Sequence, residues 1–182
     1  MTRPHILFIP GLGDRAWLYR LSVPIWRFFG YTAHIHVFGW NTEDEDLVEK
    51  QGRLLRHVDT LPTDHLHVIG VSAGGTAAVN LLAARPSVRQ IVTVASPLRP
   101  KGHPTNDFLS AAVAEADVLL SLANSSFRQK IVSVHGLYDR RVPVDKSQPP
   151  GVQTVLIPAV GHGFTIFLAL TIFSGTLRRF LR

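Results

Sequence analysis

His67-Val68-Ile69-Gly70-Val71-Ser72-Ala73-Gly74-Gly75 reads as a buried strand that ends in Gly-x-Ser-x-Gly and turns into a helix. Such a turn, a nucleophile elbow, holds one serine in a strained, exposed position above a parallel sheet. Gly70 and Gly74 flank a turn so tight that a Cβ at either place would collide with neighbouring backbone. Gly75 lets the new helix pack close to the sheet. Ala73 to Ala84 is rich in helix formers and stops at Arg85-Pro86, because the residue before a proline is pushed out of the helical region. An ordinary strand-to-helix turn with a capping serine would spell the same motif, so the rest of the chain decides between the two readings.

Outward from this turn, short β-rich runs alternate with helical stretches. Upstream, His5-Ile6-Leu7-Phe8-Ile9 is a strand followed by the turn Pro10-Gly11-Leu12-Gly13. A helical region comes next, with Ser22 as its N-cap and Pro24 in its first turn. Ala33 to Phe38 is the second strand, and Thr42-x-x-Glu45 reads as a capping box opening a helix that runs to about Thr60. Downstream, Arg89 to Ala95 is a strand, Pro97 to Asn106 a proline-containing loop and Asp107 to Leu122 a helix. Lys130 to His135 and Val152 to Ile157 are the last strands, and Phe164 to Leu181 closes the chain as a helix.

Near-continuously apolar strands separated by helices indicate a parallel sheet covered on both faces. The fold class is α/β: a three-layer α/β/α sandwich with a mostly parallel sheet. Its 182 residues and 46% hydrophobic content fit a single domain over residues 1–182. The stretch from Ala95 to Lys130 holds one helix and a loop, which leaves little material for a cap domain. No internal repeat is visible.

Composition narrows the chemistry. The chain has no cysteine, which excludes disulfides, thiolate nucleophiles and Cys-ligated metals, and fits a reducing, cytoplasmic setting. Met1-Thr2-Arg3-Pro4 precedes a short apolar run that reads as the first strand and is too short for a signal peptide. The most hydrophobic region, Phe164 to Phe173, falls short of the roughly 20 residues a bilayer crossing needs. It reads as a buried final helix, with a membrane-associated helix ending in Arg178-Arg179 as the second reading. A net charge of +6 permits an anionic partner. The basic residues are scattered without aromatic interleaving, so nucleic acid is not expected and weak attraction to an anionic membrane surface is. The acidic run from Glu43 to Glu49 reads as the first turns of a solvated helix.

A serine hydroxyl attacks a carbonyl only when a base takes its proton. That base is ordinarily a histidine oriented by a carboxylate, and above a sheet of this kind the chain order is serine, acid, histidine. Ile131-Val132-Ser133-Val134 leads into His135-Gly136-Leu137-Tyr138-Asp139-Arg140-Arg141-Val142-Pro143, which places Asp139 in the loop after a strand. Ala159-Val160-Gly161-His162-Gly163 places His162 in a loop before the final helix. The spacings are 67 residues from Ser72 to Asp139 and 23 from Asp139 to His162, room enough for the intervening elements. Asp145 is the nearest alternative acid, farther from the strand end. Backbone donors for an oxyanion are expected at Ala73, in the elbow, and at Leu12, in the loop after the first strand.

Other patterns compete less well. Gly11-x-Gly13-x-x-Ala16 matches a dinucleotide fingerprint, but the next strand ends without the required acid and the following helix is interrupted near Pro24. His34-x-His36 and His65-x-His67 each share a strand face, yet no third ligand group accompanies either pair, so no metal and no cofactor is expected. His135 lies close before Asp139 as a site-lining candidate, and His103 falls in the loop after Ala95.

Gly70-Val71-Ser72-Ala73-Gly74-Gly75, Gly136-x-x-Asp139-x-x-Val142-Pro143, Gly161-His162-Gly163 and Pro10-Gly11-Leu12-Gly13 together resemble the α/β-hydrolase superfamily. In size and apparent lack of a cap the chain is similar to the small lidless bacterial lipases and esterases of that fold. The resemblance implies Ser72 as nucleophile, His162 as base, Asp139 as its orienter, and Leu12 and Ala73 as oxyanion donors. Many lipases of the family carry His where this chain has Val71, and His in place of Pro10, so the likeness is to the superfamily more than to true lipases. The expected substrate is a small ester with an apolar acyl group, because Leu12, Trp17, Leu98 and Phe164 fall near the mouth of the site.

Overall fold

Strand β3 (Leu66–Val71) lies inside the sheet, and all six of its residues are buried. A strand covered on both faces has no solvated side to alternate with, which is why its sequence is apolar apart from His67, itself buried. The computed structural model describes residues 3–100 and 106–181. Part of the expected Pro97 to Asn106 loop, His103 included, lies outside the described residues.

β3 is flanked by β1 (His5–Ile9) and β4 (Gln90–Val94), and β2 (Thr32–Ile35), β5 (Ile131–Tyr138) and β6 (Gln153–Val160) extend the sheet to the order β2-β1-β3-β4-β5-β6. Every neighbouring pair is parallel, so the sheet is wholly parallel. The chain moves outward from β1 to β2 and then returns to the other side of β1. The resulting switch in direction lies between β1 and β3, where the carboxyl ends of the strands leave a crevice.

Helices cover both faces. Leu7, Ile9, Leu66 and Val68 point to one side, where they pack with α2 (Leu47–Asp59), α3 (Ala73–Ala84) and α4 (Asp107–Leu122). Ile6, Phe8, Ile69 and Val71 point to the other, against α1 (Ala16–Phe28), α7 (His162–Leu170) and α8 (Ser174–Arg178). Two short helices, α5 (Ser125–Gln129) and α6 (Val144–Ser147), flank β5. α4 belongs to a layer: Asn80 on α3 donates to the Ala112 carbonyl at 3.2 Å and to Glu115 at 2.8 Å.

Several expected elements differ. β5 and β6 run on to Tyr138 and Val160, past the expected His135 and Ile157, and the stretch expected to hold one helix between Ala95 and Lys130 holds α4 and α5. α1 starts at Ala16, so Ser22 and Pro24 lie in its interior. Ser22 is not a cap there; its hydroxyl donates back to the Tyr19 carbonyl. Burial of Tyr19 and Trp26 against Phe8 outweighs the one backbone bond that Pro24 removes. β2 ends at Ile35, because Phe38 and Trp40 turn inward into the core. The capping box of α2 is Asp46 with Glu49, and both reciprocal bonds are present. Thr42 instead closes a turn onto the Gly39 carbonyl. The C-terminal helix is broken at Thr171, whose hydroxyl and N–H both return to the Phe167 carbonyl.

Candidate active site

The elbow is built as its sequence demands. Ser72 sits between β3 and α3 at φ 53° and ψ −125°, a region that L-residues seldom occupy. Its N–H donates to the Val94 carbonyl at 2.8 Å and its carbonyl accepts the Gly75 N–H at 3.0 Å. A Cβ on Gly70 would overlap the backbone of Gly74 and Gly75, and one on Gly74 would overlap the Ile9 and Pro10 carbonyls. A Cβ on Gly75 would strike Ser96 and Thr93 at β4.

The other two expected side chains converge on Ser72. His162 is the first residue of α7, placed there because β6 runs on to Val160. Its Nε2 lies 2.9 Å from Ser72 Oγ, and its Nδ1 lies 2.6 Å from Asp139 Oδ2. Asp139 follows the last residue of β5, and its Oδ1 accepts the backbone N–H groups of Arg141 and Val142 at 2.9 and 3.1 Å. Burial alone would raise the Asp139 pKa. The hydrogen bond from His162, the Val142 and Arg141 N–H groups and the histidine's charge outweigh it and hold the carboxyl below its ordinary value. An ionised Asp139 accepts the hydrogen bond from His162 Nδ1–H, which leaves Nε2 as the acceptor for the serine hydroxyl. Asp145 lies on α6, away from this contact.

The loop after β1 runs against Ser72. A Cβ on Gly11 would come within 2.8 Å of the Ser72 Cβ, so glycine is what permits the approach. Leu12 follows it, and Ala73 opens α3 beside the serine. Three residues that pattern-reading passed over fasten this loop. Asp14, at φ 45°, accepts the N–H groups of Gly39 and Trp40 at 3.2 and 2.8 Å. The Trp40 indole N–H donates to the Pro10 carbonyl at 3.3 Å, and the Asn41 amide to the Leu12 carbonyl. Burial raises the Asp14 pKa despite these donors. The only sequence signal for the clasp is an aspartate in a glycine-rich turn.

Ser72 and His162 open into a cleft of about 1040 Å³, lined on its apolar side by Leu12, Tyr19, Leu109, Val113, Val142 and Ile166. Of the expected lining residues only Leu12 is among those that line it. Leu98 is fully buried in the core, its N–H bound to the Lys146 carbonyl. Trp17 and Phe164 stand on the outer surfaces of α1 and α7. The phase of each helix decides this: Tyr19 and Ile166 take the inward positions, two residues on. His135 is buried and faces Gln148, not the cleft. Neither expected histidine pair shares a strand, because His36 lies past the end of β2 and His65 lies in a 3-10 turn before β3; His34 meets His5 at 3.0 Å, His36 meets His57 at 2.9 Å, and His67 packs edge-on to the Tyr31 ring. Among the described residues no group of three or more His, Asp or Glu side chains could hold a metal ion.

No protein-family model and no curated protein matches the sequence. Solved structures do. The ydeN gene product of B. subtilis superposes with a TM-score of 0.71 at 16% identity, over 98% of each chain. A pyrethroid hydrolase from Sphingobium faniae JZ-2 gives 0.69 at 14%, over 99% of this chain and 98% of the other. Bromoperoxidase from Bacillus anthracis gives 0.70 at 15%, over 99% and 92%. The chain has the α/β-hydrolase fold. At these identities the likeness carries the α/β-hydrolase architecture alone, and the chemistry has to be argued from the side chains at the elbow.

Proposed function

We propose that the protein is a serine hydrolase that cleaves carboxylic esters through an acyl-enzyme. The observation that carries this reading is the unbroken chain of contacts Ser72–His162–Asp139 at the floor of an open cleft. As Ser72 Oγ attacks the ester carbonyl, His162 Nε2 takes its proton. The carbonyl oxygen becomes negative and accepts the N–H groups of Leu12 and Ala73. Collapse expels the alcohol, which leaves with the proton from His162. Water then attacks the acyl-serine, giving its proton to His162, and collapse returns that proton to Ser72 and frees the acid. Asp139 holds the ring tautomer and offsets the imidazolium charge in both halves. No metal or cofactor enters the cycle.

The apolar lining of the cleft supports an acyl group of hydrocarbon character. Thioester cleavage or acyl transfer would use the same parts. A non-catalytic binding module, by contrast, has no use for a strained serine paired to a histidine and facing an open cleft. One of the compared structures is a pyrethroid hydrolase, in keeping with hydrolysis on this architecture.

The test is turnover of p-nitrophenyl esters of increasing acyl length. Ser72→Ala is expected to lower kcat/KM by about 10⁴-fold or more with the fold intact by circular dichroism. His162→Ala should follow it closely, and Asp139→Asn should retain more. An unchanged rate in Ser72→Ala would overturn the mechanism.

A further inference from the structure

All acidic residues of the chain are Asp14 or lie between Glu43 and Asp145; residues 15–42 and 146–182 contain none. Those two acid-free stretches fold together. They supply α1, α7 and α8, the three helices that form one outer layer of the sandwich. α8 links to the α1 end of the layer through Arg178, stacked 5.1 Å over the Phe29 ring. The Tyr31 hydroxyl bonds the Leu181 carbonyl at 2.8 Å.

The outward surface of this layer is apolar where a solvated helix would be polar. On α1, Trp17, Leu21, Pro24 and Phe28 are spaced by four, three and four residues, which puts them on one stripe. All four are exposed, Phe28 to 86%. Arg20 and Arg27, also exposed, border the stripe. On the same layer, Phe164 and Phe167 on α7 are exposed, as is Ile172, between α7 and α8, to 70%. Arg178 and Arg179 are exposed at its far end.

We infer that this face docks on an anionic lipid bilayer. Exposed aromatic and aliphatic side chains among arginines, with no acid in any of the three helices, match a surface that is apolar below and negatively charged at its headgroups. The charge argues against a second copy as occupant: a two-fold interface would set the arginines of one face against the same arginines of its partner. Docking needs no crossing segment, and no helix of the described residues is long and apolar enough to cross a membrane. The cleft opens at the rim of the face, since Arg15 and Gly163, which line it, stand beside α1 and Phe164. A docked molecule would therefore meet amphiphilic molecules at the lipid surface. The inference itself stands apart from the ester reading, because binding is measured without turnover.

Sedimentation with vesicles tests it. Vesicles of phosphatidylcholine with about one-third phosphatidylglycerol should bind the protein at least about tenfold more tightly than phosphatidylcholine alone, and added salt should weaken that binding. Trp26 and Trp40 are fully buried, so a blue shift of tryptophan emission on binding reports Trp17, and Trp17→Phe should abolish the shift. The variant Arg20→Glu/Arg27→Glu/Arg179→Glu should lose about a hundredfold in affinity, whereas the corresponding Arg→Lys variant keeps it. Phe164→Ser/Phe167→Ser should weaken binding with the charge unchanged, so the two sets remain informative if one fails to fold. Equal binding to both vesicles, no binding to either, or a dimer that Phe28→Ser dissociates would overturn the assignment.

Discussion

Ser72 carries both the proposed chemistry and the backbone strain. At φ 53° and ψ −125° it is held by contacts around it, with Gly70, Gly74 and Gly11 leaving the space that the turn occupies. Strain of this kind costs about 1–3 kcal/mol and persists only where the surroundings over-determine it. Ser72→Gly should therefore raise unfolding stability by about 1 kcal/mol in urea titration while eliminating hydrolysis. A loss of stability would mean that the serine hydroxyl contributes more through its His162 bond than the backbone stores. The three site side chains were legible in the sequence because each sits at a strand end in the order that this geometry needs. Asp14 was not: its role rests on two backbone N–H groups, of Gly39 and Trp40, brought to it from a distant segment.

At the scale of elements, the buried strand β1 and the helices α3 and α4 match their sequence reading residue for residue. Each has an unambiguous local signal: a continuous apolar run, a glycine turn into helix formers, or the Asn106 cap on the Leu109 N–H. Sequence and structure part where tertiary contacts override local chemistry. Ser22-Val23-Pro24 has the letters of a helix start, but Tyr19 and Trp26 needed one continuous helix to reach the core. Two adjacent boxes, Thr42/Glu45 and Asp46/Glu49, compete at α2; the second forms, while Glu45 pairs with Arg53 at 3.0 Å. This makes a local prediction. Asp46→Ala should cost about 1 kcal/mol and speed hydrogen exchange at the Glu49 amide, which it caps at 2.8 Å. Thr42→Ala should leave that amide's exchange unchanged. Equal effects at Glu49 would place the cap elsewhere.

For the whole molecule, stability at low pH is set by buried histidines. His36 and His67 are buried, and His36 Nε2 and His67 Nδ1 find no hydrogen-bond partner. Burial lowers both pKa values to about 4, helped by His57 and Arg53 for His36 and by Arg89 and His65 for His67. In the unfolded chain both would titrate near 6.5. The unfolded state thus takes up protons first as pH falls, so the contribution to stability is complete above about pH 6.5 and is lost towards pH 4. Each group would cost roughly 3 kcal/mol across that window, a large share of the ~5–15 kcal/mol of a typical domain. The melting temperature should drop steeply below pH 6, and His67→Leu should remove about half of the drop. A melting temperature flat from pH 7 to 4.5 would contradict this. The three-layer architecture was legible from strand and helix alternation alone. The cleft lining was not, because Trp17 and Tyr19 lie on opposite sides of α1 and its apolar residues occupy both sides, so the sequence does not show which one faces inward.

The most direct test of the central claim is labelling of the folded protein with a fluorophosphonate, which reacts with an activated serine, followed by mass spectrometry of the adduct. The account predicts one adduct, on the peptide containing Ser72, absent in Ser72→Ala and strongly reduced in His162→Ala. Folded protein that stays unlabelled, or that carries the label on another residue when Ser72 is replaced, would contradict it.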